Sequence, residues 1–120
     1  MASRVYNITI DARDPSALAE FWRQALDYRV AYAEPHEVGI EPAGDGADAS
    51  PALVFVPVPE VKVVKNRVHL DLAPDDQASE VERLLALGAR RVDIGQGEVS
   101  WVVMADPEGN EFCVLTPRDA

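Results

Sequence analysis

The stretch DPEGNEFCVL, residues 106–115, reads as a tight turn that opens into a strand. The apolar segment SWVVMA (100–105) precedes it, so the two together predict a β-hairpin closed by DPEGN. Side chains alternate between the two faces of a strand, which puts Glu111 and Cys113 on the same face. The hairpin therefore raises the question of which groups stand opposite these two side chains.

The first half of the chain begins with an alternating strand that leads into a helix. VYNITID (5–11) has a polar face with Asn7 and Asp11 and an apolar face behind it. Asp14 and Pro15 are typical of a helix N-cap and first helical residue. Further strands are predicted at YRVAYA (28–33) and ALVFVPV (52–58), with the proline-broken stretch EPHEVGIEP (34–42) between them.

The second half repeats this plan. RVHLDLA (67–73) alternates, with His69 and Asp71 in front and Val68, Leu70 and Leu72 behind. A helix follows, and Gly88 occupies the place of a left-handed C-terminal cap. The other features predicted here are the helix cap at Asp75-Asp76 and strands at ARRVDIG (89–95), SWVVMA (100–105) and EFCVLTP (111–117).

Both halves therefore read β-α-β-β-β, with Asn7 and His69 in corresponding places 62 residues apart. The predicted fold is α+β: one domain over residues 1–120, built from tandem βαβββ modules at about 3–60 and 65–118. The modules would form a cup-shaped, curved mixed sheet with helices outside. A ferredoxin-like α+β domain is the alternative, but a single split β-α-β does not explain three strands after each helix.

Composition limits the classes of function. The chain has 120 residues, 48% of them hydrophobic, which indicates one globular domain. Its net charge of −10 disfavours nucleic acid and anionic membrane surfaces as partners. No apolar run approaches the ~20 residues of a transmembrane helix. A single cysteine excludes an intrachain disulfide, and we expect a cytoplasmic protein.

Four segments in order resemble the vicinal oxygen chelate superfamily, in particular its glyoxalase-like branch (glyoxalase, bleomycin resistance and dioxygenase proteins). They are DPSALAEFW, KNRVHLDL, LLALGARRV and WVVMADPEGNEFCVL. The resemblance spans the chain and is weakest over residues 34–51. It implies paired βαβββ modules around a cup, often with a divalent metal, and a homodimer. Members include lyases, isomerases, dioxygenases and metal-free drug-binding proteins, so the fold does not select a reaction.

The resemblance also implies where metal ligands would lie: on the first strand and a late strand of each module. Carried over, these places are Asn7, His69, Cys113 and a residue near Phe55 or Val56. Only His69 is unaltered. A zinc site of His69 with Cys113 and Glu111 fits strand parity, but neighbours at i, i+2 lie about 7 Å apart at Cα. A divalent metal on His69, with Cys113 or Glu111, is thus possible and disfavoured.

Two functional hypotheses remain open, and both take a small molecule as the ligand. In the first, a lyase- or isomerase-type enzyme uses His69 as general acid or base, Glu111 or Asp71 orients it, and Asn7 binds a substrate oxygen. Asp11, Cys113 and Trp101 complete the predicted substrate-binding set. In the second, the chain is a metal-free binding or drug-sequestration protein.

Several residues have a second interpretation. Cys113 suits a small buried apolar side chain as well as it suits a ligand, and Trp101 could pack behind the sheet. The basic cluster of Lys62, Lys65 and Arg67 suits either a solvated connector or an anchor for an anionic group. The stretch AGDGADAS (43–50) has the composition of a mobile flap.

Overall fold

The structure is a computed structural model that describes residues 2–44 and 50–118. The predicted flap at 43–50 lies, except for its ends, outside the described residues. The chain divides into two compact units, Met1–Val61 and Lys62–Ala120. Within the described residues each unit has one helix and one four-stranded mixed sheet, which confirms an α+β fold of tandem βαβββ modules.

The first unit contains the longer strands. The elements are β1 (Asn7–Ala12), α1 (Pro15–Leu26), β2 (Tyr28–Glu34), β3 (Glu37–Pro42) and β4 (Ala52–Pro57). The strand order in the sheet is β1-β4-β3-β2, with β1 and β4 parallel and the other pairs antiparallel. The stretch that looked broken by proline is the regular strand β3, because Pro35 falls in the turn before it and Pro42 at its end.

Helix α1 covers one face of this sheet and packs against β2, β3 and β4. Asp14 caps it as predicted, because its carboxylate accepts the Ala17 N–H at 3.2 Å. Phe21 and Trp22 are buried and meet edge to face, with ring centroids 5.2 Å apart. The core beneath them consists of Leu18, Ala19, Ala25, Ile40, Leu53 and Phe55. The face of the sheet away from α1 is therefore the one that presents polar groups.

The elements of the second unit are β5 (Asp71–Leu72), α2 (Gln77–Leu87), β6 (Arg90–Arg91), β7 (Val102–Ala105) and β8 (Glu111–Val114). The strand order repeats that of the first unit, β5-β8-β7-β6, with β5 and β8 parallel. Asp76 caps α2 by accepting the Ser79 N–H at 2.9 Å, and Gly88 ends it at φ 118°. Both caps agree with the sequence.

All four described strands of this unit are shorter than predicted, β5 and β6 most of all. β5 covers two residues of the predicted 67–73, because the chain bends at residues 67–68 and Asn66, just before that bend, bonds to Glu111 at the start of β8. Val68, expected behind the sheet, is 80% exposed. β6 covers two residues of the predicted 89–95, and two glycines with positive φ, Gly95 and Gly97, follow soon after it.

The core of the second unit lies between α2 and its sheet, and α2 packs against β6 and β8. Its fully buried side chains are Val81, Leu84, Met104, Phe112 and Val114. Within the described residues, no helix has the length and hydropathy that a membrane span requires.

The two capped helices align the modules. Asp14 and Asp76 are 62 residues apart, the same spacing as Asn7 and His69. By this spacing the counterpart of Asp71 is Thr9, and the counterpart of Asp11 is Ala73. Thr9 lies opposite Val54, and Asp71 lies opposite Cys113, so Val54 is the counterpart of Cys113.

Candidate functional site

Three side chains of the second unit converge at the junction of β5 and β8. Asp71 and Cys113 are direct partners across the parallel strand pair, and His69 precedes Asp71 by two residues. The His69 Nδ1 lies 3.1 Å from the Asp71 Oδ1. One nitrogen, one oxygen and one sulfur of the three residues all lie within 4.8 Å of one another. We call His69, Asp71 and Cys113 the donor group.

The donor group combines one buried residue with two accessible ones. Cys113 is 5% exposed, whereas the side chains of His69 and Asp71 are 42% and 49% exposed. Burial raises the pKa of the Cys113 thiol, and the charge of Asp71 and a hydrogen bond to it raise it further. In the protein without a metal, Cys113 is therefore a protonated thiol at neutral pH.

Glu111, which shares a face with Cys113 by strand alternation, has partners of its own. Its carboxylate lies 2.9 Å from the Lys62 Nζ and accepts the Asn66 N–H at 2.9 Å. Burial acts to raise the pKa of Glu111, but the Asn66 N–H and the Lys62 ammonium outweigh it and lower that pKa. Of the two carboxylates predicted to orient His69, the structure places Asp71 beside the imidazole and ties Glu111 to Lys62.

The first unit has a concave site on the polar face of its sheet, with a volume of about 750 Å³. Asn7, predicted to bind substrate, lies in its wall, and Asp11 is exposed and outside the lining. The lining residues are Tyr6, Asn7, Thr9, Ala31, Tyr32, Glu37, Gly39, Ile40, Glu41, Ala52, Val54 and Val56. This size and mixed polarity suit a small organic ligand.

One tyrosine-carboxylate pair stands out in this concave site. The Tyr32 hydroxyl donates a hydrogen bond to the Glu37 carboxylate. This bond, together with burial and the negative charges of Glu37 and Glu34, raises the pKa of Tyr32 to about 12. The ring lies over Gly39, where an added Cβ would sit 2.3 Å from the Tyr32 Cε1. Glycine at position 39 thus lets the Tyr32 ring lie across β3.

The sequence analysis did not identify Tyr32, Glu37 and Gly39 as residues of a site. The signal was present, since Glu37, Gly39 and Glu41 alternate along β3, but it is visible only if residues 37–42 are read as a strand.

The remaining predicted site residues are not members of the donor group. Trp101 is 40% exposed and immediately precedes β7. The basic cluster divides in the structure: Lys62 pairs with Glu111, whereas Lys65 donates to the Asn66 carbonyl at 3.3 Å. Lys62 is thus a structural partner of Glu111, a role that the sequence did not indicate.

The metal that the resemblance implies would take donors from both modules. In the first unit the positions equivalent to the donor group hold Asn7, Thr9 and Val54: an amide, a hydroxyl and a hydrocarbon. Two of these are weak neutral donors and the third cannot bind a metal, so a set drawn from both modules does not fit this chain. The donor group of the second unit does offer nitrogen, oxygen and sulfur ligands of the kind that zinc accepts.

Comparison of the sequence with known protein families gives a match over most of the chain. The sequence model of the family described as "Glyoxalase-like domain" matches residues 7–115. No curated protein sequence matches the chain.

Three solved structures are similar to the chain throughout its length. A glyoxalase/bleomycin resistance protein/dioxygenase family enzyme from Burkholderia phytofirmans PsJN has a TM-score of 0.69 at 17% identity, over 93% of this chain and 97% of that one. The fosfomycin resistance protein FosX from Listeria monocytogenes, complexed with Mn(II) and sulfate, has a TM-score of 0.72 at 17% identity, over 98% and 93%. A bleomycin resistance determinant encoded on the transposon Tn5 has a TM-score of 0.62 at 14% identity, over 98% and 100%. At such identities the likeness shows the fold.

Proposed function

Because the chain belongs to the glyoxalase-like domain family, we propose that it binds a small molecule and acts on it through the His69, Asp71 and Cys113 donor group. The observation that carries this proposal is the 3.1 Å distance between the His69 Nδ1 and the Asp71 Oδ1, at a place where both side chains are accessible. The fold is shared by a fosfomycin resistance protein and a bleomycin resistance determinant, so it is compatible with catalysis and with binding without turnover.

Asp71 gives His69 a defined orientation and tautomer. With the Nδ1–H donated to the Asp71 carboxylate, the lone pair of the imidazole is on Nε2. Such a pair holds the ring in place and makes the Nε2 edge the reactive one. A hydroxyl or a C–H beside a carbonyl is the group that this edge can deprotonate, which is the chemistry of lyases and isomerases.

The concave site of the first unit supports the binding part of the proposal. Asn7 and Thr9 of β1 and Glu37 of β3 supply donors and acceptors between apolar lining residues such as Val54. Small-molecule sites have this composition, with a few polar groups set in a mostly apolar wall.

The two histidines of the chain provide a matched experiment. A panel of hydroxy and keto acids is incubated with the protein, and turnover is followed by proton NMR. We expect His69→Ala to lower turnover by about 100-fold or more, the usual contribution of a general acid or base. His36→Ala should retain the wild-type rate, because His36 is exposed in the turn between β2 and β3. A loss below about tenfold in His69→Ala would remove His69 from the mechanism.

Binding without turnover is the second candidate function, and it is favoured by the concave site itself. Among the residues that the structure describes, its lining includes the Tyr32 and Glu37 pair and Glu41 but no histidine or cysteine. A binding protein of this kind would release its ligand unchanged. Its affinity would fall in Glu37→Gln and stay at the wild-type value in His69→Ala, as measured by isothermal titration calorimetry.

A further inference from the structure

We infer that the second unit alone binds one zinc ion, with His69, Asp71 and Cys113 as its three protein ligands and a fourth position open. The inference rests on the proposed assignment of the donor group as the reactive centre and adds the cofactor class; with zinc bound, His69 would serve as a ligand in place of its role as general acid or base. Three protein ligands and an open position are what a catalytic zinc ion has, whereas structural zinc sites are closed by four.

The strand register brings the three donors together. Asp71 and Cys113 are paired residues on adjacent parallel strands, so their side chains leave the sheet side by side on the same face. His69 stands two residues before Asp71, just outside β5, and its Nδ1 lies 3.1 Å from the Asp71 Oδ1. The backbone register thus pairs Asp71 with Cys113, and the reach of the His69 side chain completes the donor group.

The distances suit a zinc ion after a small adjustment. The donor atoms lie within 4.8 Å of one another, and His69 and Asp71 are already 3.1 Å apart. Ligand bonds of about 2.0–2.3 Å in a tetrahedron separate the donor atoms by roughly 3.3–3.8 Å. A closure of about 1 Å is within the reach of rotations about the side-chain bonds of the two accessible residues. Cys113, buried on β8, is the fixed point toward which they close.

The donor types select zinc over harder cations. A thiolate together with an imidazole favours zinc, whereas magnesium and manganese favour carboxylates, carbonyls and water. The carboxylate that would harden the site, Glu111, lies 2.9 Å from the Lys62 ammonium. This chain therefore differs in expected metal from the FosX protein whose structure contains Mn(II).

The experiment uses cobalt as a spectroscopic replacement for zinc in the full-length chain. Because Cys113 is the only cysteine, a sulfur-to-cobalt charge-transfer band in the near ultraviolet can arise only from that residue. Protein stripped with a chelator is titrated with Co²⁺ and then with Zn²⁺. We expect saturation at one equivalent per chain, visible absorption of tetrahedral type, and loss of both signals when zinc displaces cobalt.

Variants assign the ligands. Cys113→Ser should lose the charge-transfer band, and His69→Ala and Asp71→Asn should each weaken cobalt binding by at least about tenfold. Glu111→Gln and His36→Ala are the matched controls and should keep both the band and the affinity. Circular dichroism and urea unfolding confirm that each variant is folded, and Cys113→Ala serves as a second variant if Cys113→Ser is not.

The outcomes separate this inference from the proposed function. Absence of the band, a band that survives in Cys113→Ser, or Mn²⁺ binding tighter than Zn²⁺ would overturn the zinc site. Loss of turnover in His69→Ala alongside any of these results would leave the proposed function standing as metal-free proton transfer. A one-equivalent cobalt spectrum in a protein whose His69→Ala variant turns over normally would support the zinc site and overturn the proposed function.

Discussion

The Lys62 ammonium lies 2.9 Å from the Glu111 carboxylate, and the two side chains are only 18% and 15% exposed. Asn66 adds a backbone N–H to the same carboxylate at 2.9 Å and an amide N–H to the Glu111 carbonyl at 3.3 Å. The segment before β5 is therefore fastened to the start of β8. Asp71 is consequently the carboxylate that stands beside His69.

Removing the Glu111 charge should destabilise the protein in a pH-dependent way. Because the pKa of Glu111 is lowered in the folded state, its contribution is fully present above about pH 4.5 and is lost as pH falls through the lowered pKa. Near neutral pH we expect Glu111→Gln to lower the free energy of unfolding by about 1–2 kcal/mol. Urea unfolding at a series of pH values measures the difference between variant and wild type.

Glu98→Gln is the matched control, since Glu98 is exposed in the same unit. It should change stability little at any pH. If the difference between Glu111→Gln and wild type stayed constant down to strongly acidic pH, the ion pair with Lys62 would not be its source.

Asp106 is a second stabilising carboxylate, and it is fully buried in the turn between β7 and β8. It accepts the N–H groups of Glu108 at 3.0 Å and Asn110 at 2.9 Å, and also the Asn110 amide. Asp106→Ala leaves these donors without an acceptor, so we expect a loss of about 2–4 kcal/mol. Asp106→Asn keeps one oxygen and should cost less. Equal losses in the two variants, measured by urea unfolding, would contradict this account.

The Tyr32 and Glu37 pair predicts an alkaline transition. Tyr32 should titrate near pH 12, and Glu37→Gln should bring its pKa back toward 10, because the charged acceptor of the phenol is gone. Ultraviolet titration measures phenolate formation, and Tyr32→Phe identifies which transition belongs to Tyr32. A folded-state pKa above the unfolded value also means that this pair stabilises the protein below pH 10 and ceases to do so as pH rises toward 12.

Gly39→Ala tests the same pair from the opposite strand. The new Cβ would collide with the Tyr32 ring and displace it from Glu37. We therefore expect the pKa of Tyr32 to fall in Gly39→Ala, as it does in Glu37→Gln. An unchanged alkaline titration would mean that the ring moves aside without losing its hydrogen bond.

The two helix caps should contribute alike. Asp14→Ala and Asp76→Ala each remove the acceptor of a first-turn N–H, at a cost of about 1 kcal/mol. Asp75→Ala changes the exposed neighbour of the second cap and should have little effect. Thermal or urea unfolding checks all three variants under the same conditions.

The fold could be predicted largely because its signals are local. Caps at Asp14, Asp76 and Gly88 and the DPEGN turn depend on residues within a few positions of one another. Strand lengths depend instead on a partner from elsewhere in the chain. β5 is two residues long because the chain bends at residues 67–68, next to Asn66, which bonds to Glu111, and no property of RVHLDLA itself contains that information.

The candidate site could be predicted only in part. Strand alternation predicted that His69 and Asp71 share a face, and in the structure the His69 Nδ1 lies 3.1 Å from the Asp71 Oδ1. It did not indicate that Lys62, 49 positions away, would pair with Glu111, because ion pairs between distant segments leave no periodic signal. Glu37 was missed because a proline at each end of β3 hid a regular strand.

Because the two modules have the same spacing, the donor group of the second unit can be copied onto the equivalent positions of the first. Thr9 and Val54 are register partners on parallel strands, as Asp71 and Cys113 are, and Asn7 stands where His69 stands. Three substitutions, Asn7→His, Thr9→Asp and Val54→Cys, would therefore copy one half's side chains onto the scaffold of the other. The first unit thus offers a scaffold without the donor group, on which the three side chains can be introduced one at a time to find which of them the group requires.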